Sequence, residues 1–262
     1  LMMETGSDGA LYSDAVVIHG EVPPLRYDGG VKKSGPQYVR GICEGNGNPP
    51  GDDMWLSYSA GKEDIWVCSV PVPVTKSWTG STDDDFDNMT VGGSVENWNI
   101  YDGKWFDAEV AVRTRDANTA NHALALRDRD NHDYAKAVRV IKAAGAGDNS
   151  FWLMADQSAH GRLEIELNGH TGQRPVQIWF DSIGRIMAYH GLTERTLMNY
   201  TSGIWYGFNI SFDTDASRFS VSVDGAEVLT DALMSTTVPY IQRIQCRTGE
   251  YRTIHEPYTE TP

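Results

Sequence analysis

From Trp98 to Arg247 the sequence repeats one pattern: a short run in which apolar and polar side chains alternate, or apolar ones cluster, closed by a turn rich in Gly, Asp or Asn. Alternation puts every second side chain on one face, which is the period of a half-buried strand, and no stretch sustains the 3.6-residue period of an amphipathic helix. A chain of this kind buries its apolar side chains only by stacking sheets or by closing one into a barrel. The pattern predicts strands at Trp98–Tyr101, Trp105–Arg113, His122–Arg127, Ala135–Ile141, Ser150–Ala155, Arg162–Leu167, Val176–Phe180, Ile186–Tyr189, Trp205–Phe212, Arg218–Val223 and Gln242–Arg247. A spacing of about ten residues with a turn between members is that of a sandwich. Turns are expected at Asn168-Gly169, Asp181–Gly184 and Asp224-Gly225, whose residues accept positive φ. Trp98, Trp105, Trp179 and Trp205 fall within these runs and are expected in the core.

Upstream, strands are expected at Ala15–His19, Gln37–Cys43, Met54–Ser59 and Ile65–Val70. Val70-Pro71-Val72-Pro73-Val74 then interrupts the pattern, because proline cannot donate to a central ladder. The expected organisation is a first domain over residues 1–75, a linker over 76–82 and a sandwich over 83–262.

Bulk chemistry narrows the function classes. A net charge of −14 with no Lys/Arg cluster disfavours a nucleic-acid partner, which needs a cationic face. No apolar run reaches the roughly 18 residues of a membrane-spanning helix. The first residues, Leu1-Met2-Met3-Glu4, lack the basic start and apolar stretch of a signal peptide, so the expectation is a signal already removed or a piece of a longer chain. Cys43, Cys68 and Cys246 are too few for a disulfide framework; three buried thiols are expected, with a Cys43–Cys68 bridge as the alternative. The seven histidines form no metal-ligand pair of the HExxH kind.

Two segments carry a family resemblance. Residues 36–74, with an EGNG-PPGDD loop followed by a YS-KEDIWV-VPVP hairpin, resemble the last blade of sialidase-like β-propeller proteins of bacterial polysaccharide degradation. Residues 83–252, with DDFDNMTVGG, RDRDNHDYAKAVRV and QCRTGEYR, resemble the concanavalin A-like or laminin-G-like sandwich that follows such a propeller. The resemblance implies an all-β chain, one or two propeller-like blades followed by an antiparallel jelly-roll sandwich. It implies a secreted or periplasmic carbohydrate-associated module, the C-terminal part of a sialidase-like enzyme, with a poly- or oligosaccharide as partner. About 75 residues hold at most two blades, so the missing blades or another subunit are also expected partners. The alternatives are a complete glycoside hydrolase or lyase acting on acidic polysaccharide, and an extracellular adhesive domain that binds protein.

The residues that would carry such functions follow from the pattern. If the chain is catalytic, Tyr38, Arg40 and Glu44 are the candidates: unbroken alternation would put them on one face of the strand, with Arg40 holding a carboxylate or sulfate. The competing reading is an Arg40–Glu44 ion pair. For ligand binding, Asp128 and Asp130 would accept sugar hydroxyls, Tyr134 or Trp152 would stack on a pyranose, and Arg247 would lie nearby. Alternating charges in this loop also suit a solvated surface. Asp84, Asp85 and Asp87, crowded in one acidic turn, would suit a structural Ca2+, against a plain solvated turn.

Overall fold

The structure, a computed structural model, describes residues 1–5, 13–18, 36–42, 53–71, 80–93, 95–102, 107–115, 120–129, 134–169 and 172–249. The chain divides into two compact units, one drawn from Leu1–Lys76 and the other from Ser77–Glu250. All regular elements of the described residues are strands, and no helix among them is long and apolar enough to cross a membrane.

In the first unit, β1 (Met2–Thr5) pairs antiparallel with β2 (Ser13–Val17). A separate antiparallel meander joins β3 (Pro36–Ile42), β4 (Asp53–Ala60) and β5 (Asp64–Pro71). The β4–β5 turn is tight because Gly61 and Lys62 both take left-handed backbone, with Glu63 N donating to Ala60 O at 3.1 Å. One face of the meander buries Tyr58 and Ala60, whereas Trp55, Ile65 and Val67 on the other face are exposed.

The second unit begins with β6 (Trp98–Asp102), the hairpin of β7 (Ala108–Thr114) and β8 (His122–Asp128), β9 (Ala135–Ala144) and β10 (Ala146–Met154). It continues through β11 (Leu163–Asn168), β12 (Val176–Phe180), β13 (Arg185–His190), β14 (Thr193–Asn199), β15 (Trp205–Asp213), β16 (Arg218–Val223), β17 (Ala226–Leu233) and β18 (Ile241–Thr248). A seven-stranded antiparallel sheet runs β14-β13-β12-β11-β18-β9-β6, and a four-stranded one runs β10-β15-β16-β17. The chain passes from the first sheet to the second at Gly145, between β9 and β10.

Alternation builds the core between these sheets. Tyr206, Phe208, Ile210 and Phe212 of β15 and Phe219, Val221 and Val223 of β16 bury one face of the smaller sheet. They meet Ile165, Leu167, Val176, Ile178, Phe180 and Ile186 of the larger, with the Phe180 and Phe208 rings 5.9 Å apart. Truncating a ring such as Phe208 to alanine would cost about 3–5 kcal/mol. A smaller cluster places Ala108 and Val110 of the β7–β8 hairpin against Ala135 and Ala137 of β9.

Three expectations need correction. The inter-sheet cluster holds no tryptophan among the described residues. Trp179 is buried on the outer face of the large sheet, and Trp98 packs into the smaller cluster; Trp105 lies outside the described residues. Gly169 is not the left-handed member of a tight turn. Gly172 takes the positive φ instead, while a Cβ on Gly169 would meet Val238 Cγ1 at 2.7 Å, so close approach explains the glycine. Alternation through Tyr38 and Arg40 also fails: Tyr38 takes φ +54° and the β3–β4 register shifts between Gln37 and Arg40. A bulge re-aims side chains, so the pattern that put the two on one face is broken.

Candidate functional site

The outer faces of the two sheets of the second unit differ in chemistry. On the large sheet, paired residues align in a row across the strands: Tyr101, Lys136, Arg247, Glu164 and Trp179. Glu164 and Glu166 stand two apart on β11 and point away from the core, because Ile165 and Leu167 take the inner face. Three guanidinium groups enclose them. Arg162, Arg174 and Arg247 lie 2.6, 2.7 and 3.4 Å from Glu164, and Arg174 also hydrogen-bonds Glu166. Asn168 and Gln245 each donate to Glu166 at 3.1 Å.

Burial pushes the Glu164 carboxyl up to about 7, with the neighbouring Glu166 adding to the effect, against the Arg247 charge. Burial opposes ionisation of Glu166 too, but the hydrogen bond and charge of Arg174 outweigh it and hold that carboxyl below its ordinary value. Both glutamates are fully buried, so this network knits β11, β12 and β18 together and offers no open carboxylate to a substrate.

The expected ligand residues separate between the two layers. Asp128 accepts a hydrogen bond from Thr248 Oγ1 at 2.7 Å, which ties β8 to β18. Tyr134 is only 2% exposed, stacked on Tyr101 at 4.6 Å with the Arg247 guanidinium 5.3 Å from its ring, and so has no face free for a sugar. Arg247 is buried beside Glu164. Asp130 lies outside the described residues. Trp152 stands apart from all of these, on the outer face of the small sheet.

The carboxylates of the acidic turn are engaged within the chain. Asp84 accepts from Trp98 Nε1 at 3.0 Å and pairs with Arg139 Nε at 2.8 Å, Asp85 accepts from Asp87 N, and Asp87 accepts from His122 N at 2.7 Å. Among the described residues no group of three or more His, Cys, Asp or Glu is placed to hold a metal. These contacts give the turn a different use, anchoring the segment before β6 to β9. Tyr38 and Arg40 are both exposed, Tyr38 with the Lys62 amine 6.0 Å from its ring, and Glu44 lies outside the described residues. Cys68 and Cys246 are free thiols, pushed up by burial, Cys246 to about 12; Cys43 lies outside the described residues.

The small sheet is where an aromatic ring is open. Trp152 is 67% exposed, on the edge strand β10 opposite Gly207 of β15. Gly207 permits this: a Cβ there would lie 3.1 to 3.3 Å from three atoms of the indole, so the ring lies over bare backbone with its other side to solvent. Beside it is a groove of about 360 Å³ lined by Ser150, Trp152, Gly207, Asn209, Ser222 and Asp224, together with Phe151, Phe208 and Gly225. Asn209 Nδ2 donates to Ser150 Oγ at 2.9 Å, and Asp224 Oδ1 accepts from Gly207 N at 2.8 Å, so the polar floor is held in place. The left-handed Asp224-Gly225 turn between β16 and β17 sets Asp224 at the rim. The signal for this site was present in the sequence: Trp152 in a strand whose facing partner carries glycine.

A family model described as the sialidase-like CBM (carbohydrate-binding module) domain matches residues 98–262, well over half of the chain. The chain belongs to this sialidase-like CBM family. It is similar to a solved sialidase at 36% identity with a TM-score of 0.81, covering 96% of this chain and 22% of that one. This sialidase-like CBM protein thus spans about a fifth of the length of that sialidase. More distant similarities are to a Bacillus licheniformis β-glucanase (10% identity, TM-score 0.39, 70% of this chain and 92% of that one) and to a tetrameric galectin from the ball sponge Cinachyrella sp. (13%, 0.36, 48% and 95%). No curated protein matches.

Proposed function

We propose that this chain is the glycan-holding part of a larger extracytoplasmic sialidase-like protein, and that Trp152 is its sugar-stacking platform. The observation that carries the reading is a tryptophan ring braced on Gly207, 67% exposed, and bordered by Ser222 and the hydrogen-bonded polar groups of Ser150, Asn209 and Asp224. A pyranose presents an apolar face rimmed by hydroxyls, and this pairing of a flat aromatic surface with oriented donors and acceptors matches both. Membership of the sialidase-like CBM family supports the same class of ligand.

We also infer that the β3–β5 meander is a blade-like sheet whose exposed Trp55, Ile65 and Val67 face is covered by further sheet in the larger protein. The irregular backbone at Tyr38, with the register shift between Gln37 and Arg40, breaks the alternation on which a catalytic reading of β3 rests, and this favours binding over catalysis.

A glycan array followed by titration calorimetry tests the main reading. Binding to at least one oligosaccharide is expected, with affinity falling at least tenfold (about 1.4 kcal/mol) in Trp152→Ala while stability stays within about 0.5 kcal/mol. Glycan binding that survives Trp152→Ala unchanged would overturn the assignment of the platform.

A further inference from the structure

We infer that the Trp152 groove selects an uncharged sugar and rejects anionic ones such as sialic acid, uronates and sulfated residues. The inference rests on the platform reading above and adds the class of ligand to it.

The argument is one of charge. Among the groove-lining residues none is Lys, Arg or His, and the one ionisable group is the carboxylate of Asp224. The neighbouring rows of the same face add acids. Asp148 pairs with Ser211 one step along β10, and Glu227 pairs with Ser222 across β16–β17. Arg218, the cation on this face of β16, is engaged by Asp231, whose backbone oxygen and carboxylate lie 2.7 and 3.2 Å from its Nη1. An anionic sugar is normally held by a guanidinium fork, an ammonium or converging backbone amides. Here the amide of Gly207, the residue facing the ring, already donates to Asp224.

A sugar carboxylate placed over the indole would therefore approach a fixed like charge with no cation among the described groove-lining residues to offset it, inside the field of a chain of net charge −14. Neutral hydroxyls meet the opposite situation. Asp224 Oδ2, Asn209 Oδ1 and the Ser150 and Ser222 hydroxyls supply acceptors for O–H donors. In a protein that removes acidic residues from a glycan, such a groove would hold the neutral chain that carries them rather than the residue removed.

The test uses the whole chain and matched ligands: lactose against sialyllactose, and neutral cello-, manno- and chito-oligosaccharides against oligogalacturonate, by titration calorimetry at low salt. The expected result is a neutral ligand bound at least tenfold more tightly than its charged counterpart, lost in Trp152→Ala. In Asp224→Asn, which keeps the acceptor toward Gly207 N and tolerates the left-handed turn, that ratio is expected to shrink severalfold. An anionic sugar bound as tightly as or more tightly than the neutral one, still dependent on Trp152, would overturn the selectivity and leave the platform standing. Binding of either class that does not depend on Trp152, or none across the panel, would overturn both.

Discussion

Glu164 is held among three guanidinium groups, yet its burial pushes the carboxyl up to about 7. The sign of its effect on stability follows. Between 4.5 and about 7 the folded chain keeps a proton that the unfolded chain has released, so raising the pH through this window removes stability. Glu166, held below its ordinary value, acts below that window and in the opposite sense. Thermal melts from pH 4.5 to 7 are therefore expected to show a falling contribution in the wild type that Glu164→Gln flattens, since the amide mimics the protonated acid. A slope unchanged in that variant would contradict the placement of the proton. At this scale the sequence was informative about side-chain direction but not about layer. Alternation correctly separates Glu164 and Glu166 from Ile165 and Leu167. It cannot say that Trp152 and Tyr134 belong to different sheets, and so it grouped an open ring with one sealed under Arg247 and Tyr101.

Elements read from the sequence hold best where one face is core. The β15 and β16 runs alternate cleanly because Phe208, Ile210, Phe219 and Val221 all face the opposite sheet. Two strands of the second unit gave no such signal. β14, Thr-Glu-Arg-Thr-Leu-Met-Asn, is an edge strand open over most of its length, and β17 carries register shifts against β16 with Asp231 in left-handed backbone. Edge strands need little burial on either face, and bulges erase period-2 patterning. The acidic turn before β6 makes a separate prediction. Arg139 is 3% exposed and its charge is met by Asp84. Asp84→Ala removes one partner of a buried pair and is expected to cost about 3 kcal/mol, near the low end for such pairs because the Asn97 and Val140 carbonyls also accept from Arg139. Denaturant melts with and without a chelator separate this from a metal site. The account expects the loss in the variant and no effect of chelation on the wild type. Chelation that destabilises the wild type as much as the substitution would contradict it.

At the scale of the whole molecule, the second unit offers a glycan two outer faces. One is a sheet of charges closed on themselves, Glu164 and Glu166 under Arg162, Arg174 and Arg247. The other is a small-residue floor with one ring standing open on it. The all-β class and the stacked antiparallel sheets were legible because they rest on periodicity. The choice between the faces was not, because it depends on which side chains are satisfied, and that is decided by packing. A crystal structure of the chain with a bound neutral oligosaccharide puts the choice to the test most directly. The account predicts a pyranose ring lying on the indole of Trp152 with hydroxyls directed to Asn209 and Asp224. A sugar seated instead over Glu164 and Arg247, with Trp152 bare, would contradict it.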